Sequence, residues 1–158
     1  MIKNRINAGR KRQWRALVMG VAASCVAVSL PAAEGPPLVI KSGWVRAEAG
    51  DVRTLRAFLI IENNTLQPQS IVLVEAEGFA GVDMQRTASG KDADRSQPVE
   101  QIDIPMFGRR VLEPFGEYLL LTGAKRAYRA GDKITLTFQL ADGRQQTVIL
   151  PVRRDPEE

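Results

Sequence analysis

The chain of 158 residues contains no histidine and one cysteine, Cys25. Without His it lacks the side chain most often used as a general base and as a nitrogen ligand for metals. With one thiol it cannot close an internal disulfide or supply a thiolate pair. No Gly-rich phosphate loop occurs, and acid pairs such as Glu48 and Asp51 have no partner of catalytic type nearby in sequence. Catalysis therefore has little to work with, and no catalytic residue is expected. No apolar run reaches the about 20 residues of a spanning helix. The longest run, residues 16–30, stops short of that length.

That short run belongs to an export signal. Residues 1–15, "MIKNRINAGRKRQWR", carry six Lys or Arg and no acid; "ALVMGVAASCVAVSL" follows, then "PAAEGPP". A basic start, an apolar centre and small residues before a charge mark a secretory signal peptide. The absence of a paired-arginine signature favours the general secretory route, and cleavage is expected near Ala33–Glu34, delivering the protein to the periplasm. Two minority forms remain: an uncleaved N-terminal anchor, and lipidation of Cys25, which sits in "VAASC" like the cysteine of a lipoprotein cleavage box. The run continues through Leu30, which suits the later cut. The whole chain holds 22 basic and 18 acidic residues; beyond residue 33 the balance is 16 to 18, so the net charge turns from +4 to −2. The basic character resides in the signal, and no nucleic-acid partner is implied. A membrane is expected only through an uncleaved signal or a lipidated Cys25.

Residues 34–153 read as one domain and 154–158 as a charged tail. Segments of alternating apolar residues are separated by turn chemistry. In "TLRAFLIIEN" Leu55, Ala57, Leu59 and Ile61 face one way and Arg56, Phe58, Ile60 and Glu62 the other, which predicts a central strand. "NNTLQPQ" predicts a turn and "ADGR" a hairpin. "SIVLVEAE", residues 81–87, "VEQIDIP", "GRRVLEP", "EYLLLTG", "KITLTFQL" and "QQTVILPV" read as further strands. "ASGKDADRSQP" reads as a polar loop, and "AKRAYRAGDK" as a loop with room for one helical turn. Eight or nine short strands and no long amphipathic helix predict an all-β, antiparallel sandwich of cupredoxin-like or immunoglobulin-like (Greek-key) type, from about residue 38 to 153. Trp44, Phe58, Ile60, Leu73, Leu136 and Phe138 are expected among its buried residues.

The order of "GWVRA", "AFLIIEN", "VDMQRT", "VLEPFGEYLLLTG" and "YRAGDKITLTFQL" resembles the periplasmic copper chaperones called PCu(A)C, over essentially the whole chain after the signal. The resemblance implies a cupredoxin-like sandwich, Cu(I) as cargo, and a role in loading the copper sites of cytochrome c oxidase. The family's ligands are His, Met, His and Met, with ten, twenty-one and one residues between them. That spacing, laid from "VDMQ", falls on Gln85, Ser96, Tyr118 and Leu120. None is a soft donor of the kind Cu(I) selects: an amide, a hydroxyl, a phenol and a hydrocarbon stand in place of two imidazoles and two thioethers. The expectation is a member of the fold that lacks the copper site, holds no metal or cofactor, and acts as a binding or assembly module beside a copper protein or oxidase-assembly protein. The alternative is a working Cu(I) chaperone that uses a weak site around Met84 and Met106, or a site completed by a partner. Against this, Met84 is one residue from Gln85 along a strand and so belongs on the opposite face.

Three further features have bland readings. Asp83, Asp92 and Asp94 lack the Gly and distal Glu of a calcium loop and read as solvated acids. Arg109-Arg110, Lys125-Arg126 and Arg153-Arg154 read as solvated strand ends. The pair Tyr118 and Leu120 could also form an apolar patch for a protein partner, although both are ordinary strand residues.

Overall fold

A computed structural model describes residues 35–47, 53–88 and 95–154. The predicted export segment, Glu48, Asp51, Asp92 and Asp94 lie outside the described residues. Ten strands form: β1 (Leu38–Arg46), β2 (Leu55–Asn63), β3 (Gln69–Ala76), β4 (Gly81–Thr87), β5 (Ser96–Pro98), β6 (Ile102–Ile104), β7 (Arg109–Leu112), β8 (Glu117–Thr122), β9 (Lys133–Leu140) and β10 (Gln145–Arg153). They join edge to edge in the order β5-β4-β8-β7-β2-β1-β10-β9-β3-β6. The sheet curls, so that side chains from both halves meet in one apolar core, among them Leu55, Ile61, Leu119, Leu121, Ile71, Leu136, Phe138 and Leu150. The all-β sandwich expected from the sequence is thus present.

Four details differ from the expectation. β1 runs parallel to β10, and β7 parallel to β8, so the sheet is not purely antiparallel. β5 lies inside the predicted polar loop; its three residues are all exposed, so no apolar alternation could announce it, and backbone pairing with β4 alone creates it. The loop between β8 and β9 contains turns and bends but no helical turn. Among the six predicted core residues, Phe58, Leu136 and Phe138 are buried, Trp44 and Ile60 are half-buried, and Leu73 is 44 % exposed. The cause at Leu73 is a bulge: Ile71 pairs with Leu140 but Leu73 with Gln139, and the inserted residue reverses the alternation. Ile71 and Val74 point inward instead.

One close approach fixes the middle of β1. A Cβ on Gly43 would lie 2.7 Å from Leu150 Cδ2 and 3.3 Å from the Phe58 carbonyl oxygen, so a side chain there would displace the Leu150 methyl and crowd the β2 backbone.

At one end of the sheet, fully buried Asn63 ties two turns together. Its Nδ2 donates to the carbonyls of Gln67 (2.7 Å), Pro105 (3.0 Å) and Ile104 (3.3 Å). Its Oδ1 accepts from the Thr65 amide (2.9 Å) and hydroxyl (2.7 Å). The β2–β3 turn and the β6–β7 bend are thereby held as one unit, reinforced by the Phe107 amide donating to the Thr65 carbonyl at 3.3 Å.

Candidate functional site

The candidate site lies on β2, β4, β5 and β8, on the face turned away from Leu119 and Leu121. Alternation along β8 sends those two leucines into the core and leaves Tyr118 and Leu120 on the second face. Residues directly opposite each other on neighbouring strands share a face, with Cβ atoms about 4.5–5.5 Å apart. Gln85 stands opposite Tyr118 on one side and Pro98 on the other. Ser96 stands opposite Thr87, two residues on from Gln85. Leu120 stands between Asp83 of β4 and Arg56 of β2. The four positions that the PCu(A)C spacing selects are therefore brought to one face of adjacent strands.

One group gathered there, Arg56, was not anticipated as a site residue. The Arg56 guanidinium carbon sits 5.3 Å from the centroid of the Tyr118 ring, a cation–π arrangement. Tyr118 itself is 5 % exposed. With Arg95, Thr87, Ser96, Pro114 and Phe115, these two side chains line a shallow cavity of about 210 Å³. Next along the same face, Trp44 packs on Phe58 across β1 and β2, with ring centroids 5.0 Å apart. The signal that could have found Arg56 was in the sequence, as a lone cation inside an apolar strand. Its meeting with Tyr118 was not, because it depends on β2 pairing with β8.

The arrangement does not fit Cu(I). Gln85, Ser96, Tyr118 and Leu120 offer no thioether, thiolate or imidazole, and the cavity lined by Ser96 and Tyr118 is also lined by the cationic side chains of Arg56 and Arg95. Met84 packs against the core from the opposite side of β4, and Met106 is 60 % exposed in the bend between β6 and β7. Among the described residues no three or more His, Cys, Asp or Glu side chains gather as a metal site would require. Asp83 is exposed on β4.

Behind the site, Glu117 anchors the start of β8. It is buried and accepts from Arg110 Nε (2.7 Å) and Nη2 (2.6 Å) and from Arg86 Nε (3.0 Å) and Nη2. Burial pushes its carboxyl pKa up, but the hydrogen bonds from Arg110 and Arg86 outweigh it, so the group is held below the usual carboxylate value. Of the basic pairs, Arg110 is engaged here, while Arg126 bonds Asp132 at 3.0 Å and lies 4.1 Å from the Tyr128 ring centroid. Arg153 and Arg154 are exposed.

Comparison with known proteins agrees with this architecture. The family described as "Putative lipoprotein LpqE-like" matches residues 38–152. A protein of Leifsonia xyli subsp. xyli (strain CTCB07) named "Putative lipoprotein Lxx21020" is 28 % identical over 134 residues, covering 80 % of each chain. The Cu(I) form of DR1885 from Deinococcus radiodurans superposes with a TM-score of 0.63 at 25 % identity, over 78 % of this chain and 83 % of that one. The apo PCuAC domain from PmoF1 gives 0.62 at 21 % identity, over 77 % and 97 %. The copper-bound PCuAC domain from PmoF2 gives 0.63 at 17 % identity, over 75 % and 94 %.

Proposed function

Because the chain belongs to the LpqE-like family, a PCu(A)C-like group of copper-chaperone domains, we propose that it is an exported, non-catalytic member that does not carry Cu(I) itself and serves as a binding or assembly partner in copper-protein or respiratory-oxidase maturation. One observation carries this reading: the face that gathers Gln85, Ser96, Tyr118 and Leu120 presents an arginine stacked on a tyrosine and no soft donor. The Arg56 guanidinium lies beside two of the four positions, over the Tyr118 ring and opposite Leu120. The cavity and its aromatic neighbours are retained as a surface for a partner protein.

The family description and the name of the Leifsonia relative support the tethered form of export, in which the cut falls before Cys25 and that residue carries lipid. The expectation of a cut near Ala33–Glu34 gives way in this reading. The domain then works at the outer surface of the membrane.

The deciding experiment is a Cu(I) competition titration against a chelator. The natural protein should lose its copper to the chelator. The fourfold change Gln85→His, Ser96→Met, Tyr118→His and Leu120→Met should gain binding, and adding Arg56→Ala should strengthen it further. Two unit charges about 6 Å apart at an effective dielectric of about 20 repel by about 3 kcal/mol, so the last step should tighten Cu(I) by about tenfold to a hundredfold after allowance for solvent. Tight one-to-one binding by the natural protein would overturn the metal-free reading. A fivefold variant that keeps its strand spectrum but gains no copper would overturn the assignment of the four positions.

A further inference from the structure

Among the described residues, three of the five most exposed large apolar side chains gather at one end, the other two being Phe115 and Ile149. Leu66 of the β2–β3 turn is 74 % exposed, and Phe107 and Met106 of the β6–β7 bend are 66 % and 60 % exposed. Asn63 holds the two turns together through the hydrogen bonds described above. Phe107 has φ of +50°, a left-handed backbone that a bulky side chain rarely adopts. The bend thus keeps an aromatic ring in solvent at a conformational cost, where glycine would be the easy choice.

The chain enters the fold at this same end. Leu38, the first residue of β1, pairs with Asn63. Its amide donates to Gln146 Oε1 at 3.1 Å, and its carbonyl accepts from Gln146 Nε2 at 2.6 Å, so the entry point is pinned. Resting on the tethered reading above, we propose that the Leu66–Met106–Phe107 tip inserts into the interface of the lipid bilayer that carries the anchor, orienting the domain with this end down.

The length of the tether favours one orientation. Twelve residues, Val26 to Pro37, separate Cys25 from Leu38, and fully extended they reach about 40 Å. A nine-residue strand such as β1 is about 30 Å long. To place the opposite end of the sheet on the membrane, the tether would have to run the length of the domain, using most of its reach. With the tip down it need only span the gap. The chemistry of the tip points the same way: Lys41 pairs with Glu62 at 3.1 Å and Arg144 with Asp142 at 2.6 Å, Asp103 accepts from the Ser70 hydroxyl at 2.6 Å, and Arg109 stands exposed beside the bend as a single cation. The contact is apolar rather than a basic patch seeking anionic headgroups, and neutral lipid suffices.

The test uses the full chain in phosphatidylcholine vesicles with brominated acyl chains. Leu66→Trp places an indole on the tip, and Ala127→Trp places one in the exposed loop at the far end as a control; Trp44, and Trp14 wherever the signal is still attached, are common to both and are subtracted with the natural protein. Interfacial side chains sit about 5–10 Å into the headgroup–acyl boundary, so bromines should quench the Leu66→Trp signal at least about twofold more than the control. Intact mass of the same samples reports whether Cys25 carries lipid. Lipid on Cys25 with equal quenching at the two positions overturns the tip while leaving the tether standing. An unmodified Cys25 removes the tether, and the same pair on added vesicles still decides: greater quenching at Leu66→Trp upholds tip insertion, and equal quenching overturns it. Sedimentation showing a dimer that Leu66→Ser with Phe107→Gly dissociates, without quenching, would assign the tip to a second copy instead and overturn the proposal.

Discussion

The two faces of β8 are built from alternate residues of one six-residue strand, yet they obey different rules. The inner face presents Leu119 and Leu121, both fully buried among side chains from the other half of the sheet. The outer face presents Tyr118 and Leu120, whose neighbours are Gln85, Asp83 and Arg56. The inner face resists change because every methylene there meets close-packed neighbours. The outer face meets its neighbours across β4 and β2 rather than in the core between the two halves of the sheet, so its chemistry can change while Leu119 and Leu121 stay packed. This separation explains how a PCu(A)C-like fold can persist with an arginine and a tyrosine in its site.

The comparison breaks most readily at Leu121. Leu121→Ala should cost about 2–5 kcal/mol, as large-to-small changes in packed cores do. Leu120→Met, one residue away on the other face, should cost under about 1.5 kcal/mol, as volume-conserving swaps do. Equal losses in urea denaturation would show that both faces carry the fold.

A smaller effect is expected at Glu117, the buried charge on the inner side of the same strand. Glu117→Gln keeps the shape but removes the charge that engages Arg86 and Arg110, and should cost about 1.5–3 kcal/mol at neutral pH. The folded carboxyl is held below its unfolded value. Its contribution is therefore complete above the unfolded pKa of about 4.3 and is lost as pH falls below that value. The stability gap between natural protein and variant should narrow below about pH 4. Asp103, Asp132 and Asp142 are also held low but are present in both proteins, so the difference isolates Glu117. A gap independent of acid would mean that the two arginines do not act through its charge.

The smallest effect should have the opposite sign. Phe107→Gly relieves the left-handed backbone at a side chain that packs on little, and thermal unfolding should show a gain of up to about 1 kcal/mol. A loss would place Phe107 among the residues that stabilise the fold, and the exposed tip would then resemble the inner face.

Much of this molecule was legible in its residues. The alternation of "LRAFLII" located β2 and assigned both of its faces, and the Asp142-Gly143 pair marked the β9–β10 turn, where Gly143 has φ of +85°. The missing histidines and the four positions without soft donors were visible before any coordinate. Leu73 was misread because one extra residue in β3 reverses the alternation while leaving composition unchanged, and β5 was missed because backbone pairing alone defines it.

By itself the sequence determined the strand class, the buried stripe of each regular strand, and the want of soft donors at Gln85, Ser96, Tyr118 and Leu120, because side-chain chemistry and a period of two are local properties. Only the tertiary structure decided that Arg56 of β2 lies over Tyr118 of β8, and that Leu66, Met106 and Phe107 share one end with the entry point at Leu38. Those meetings join segments tens of residues apart, and their register is set by bulges, turn closure and core packing, which no local pattern records.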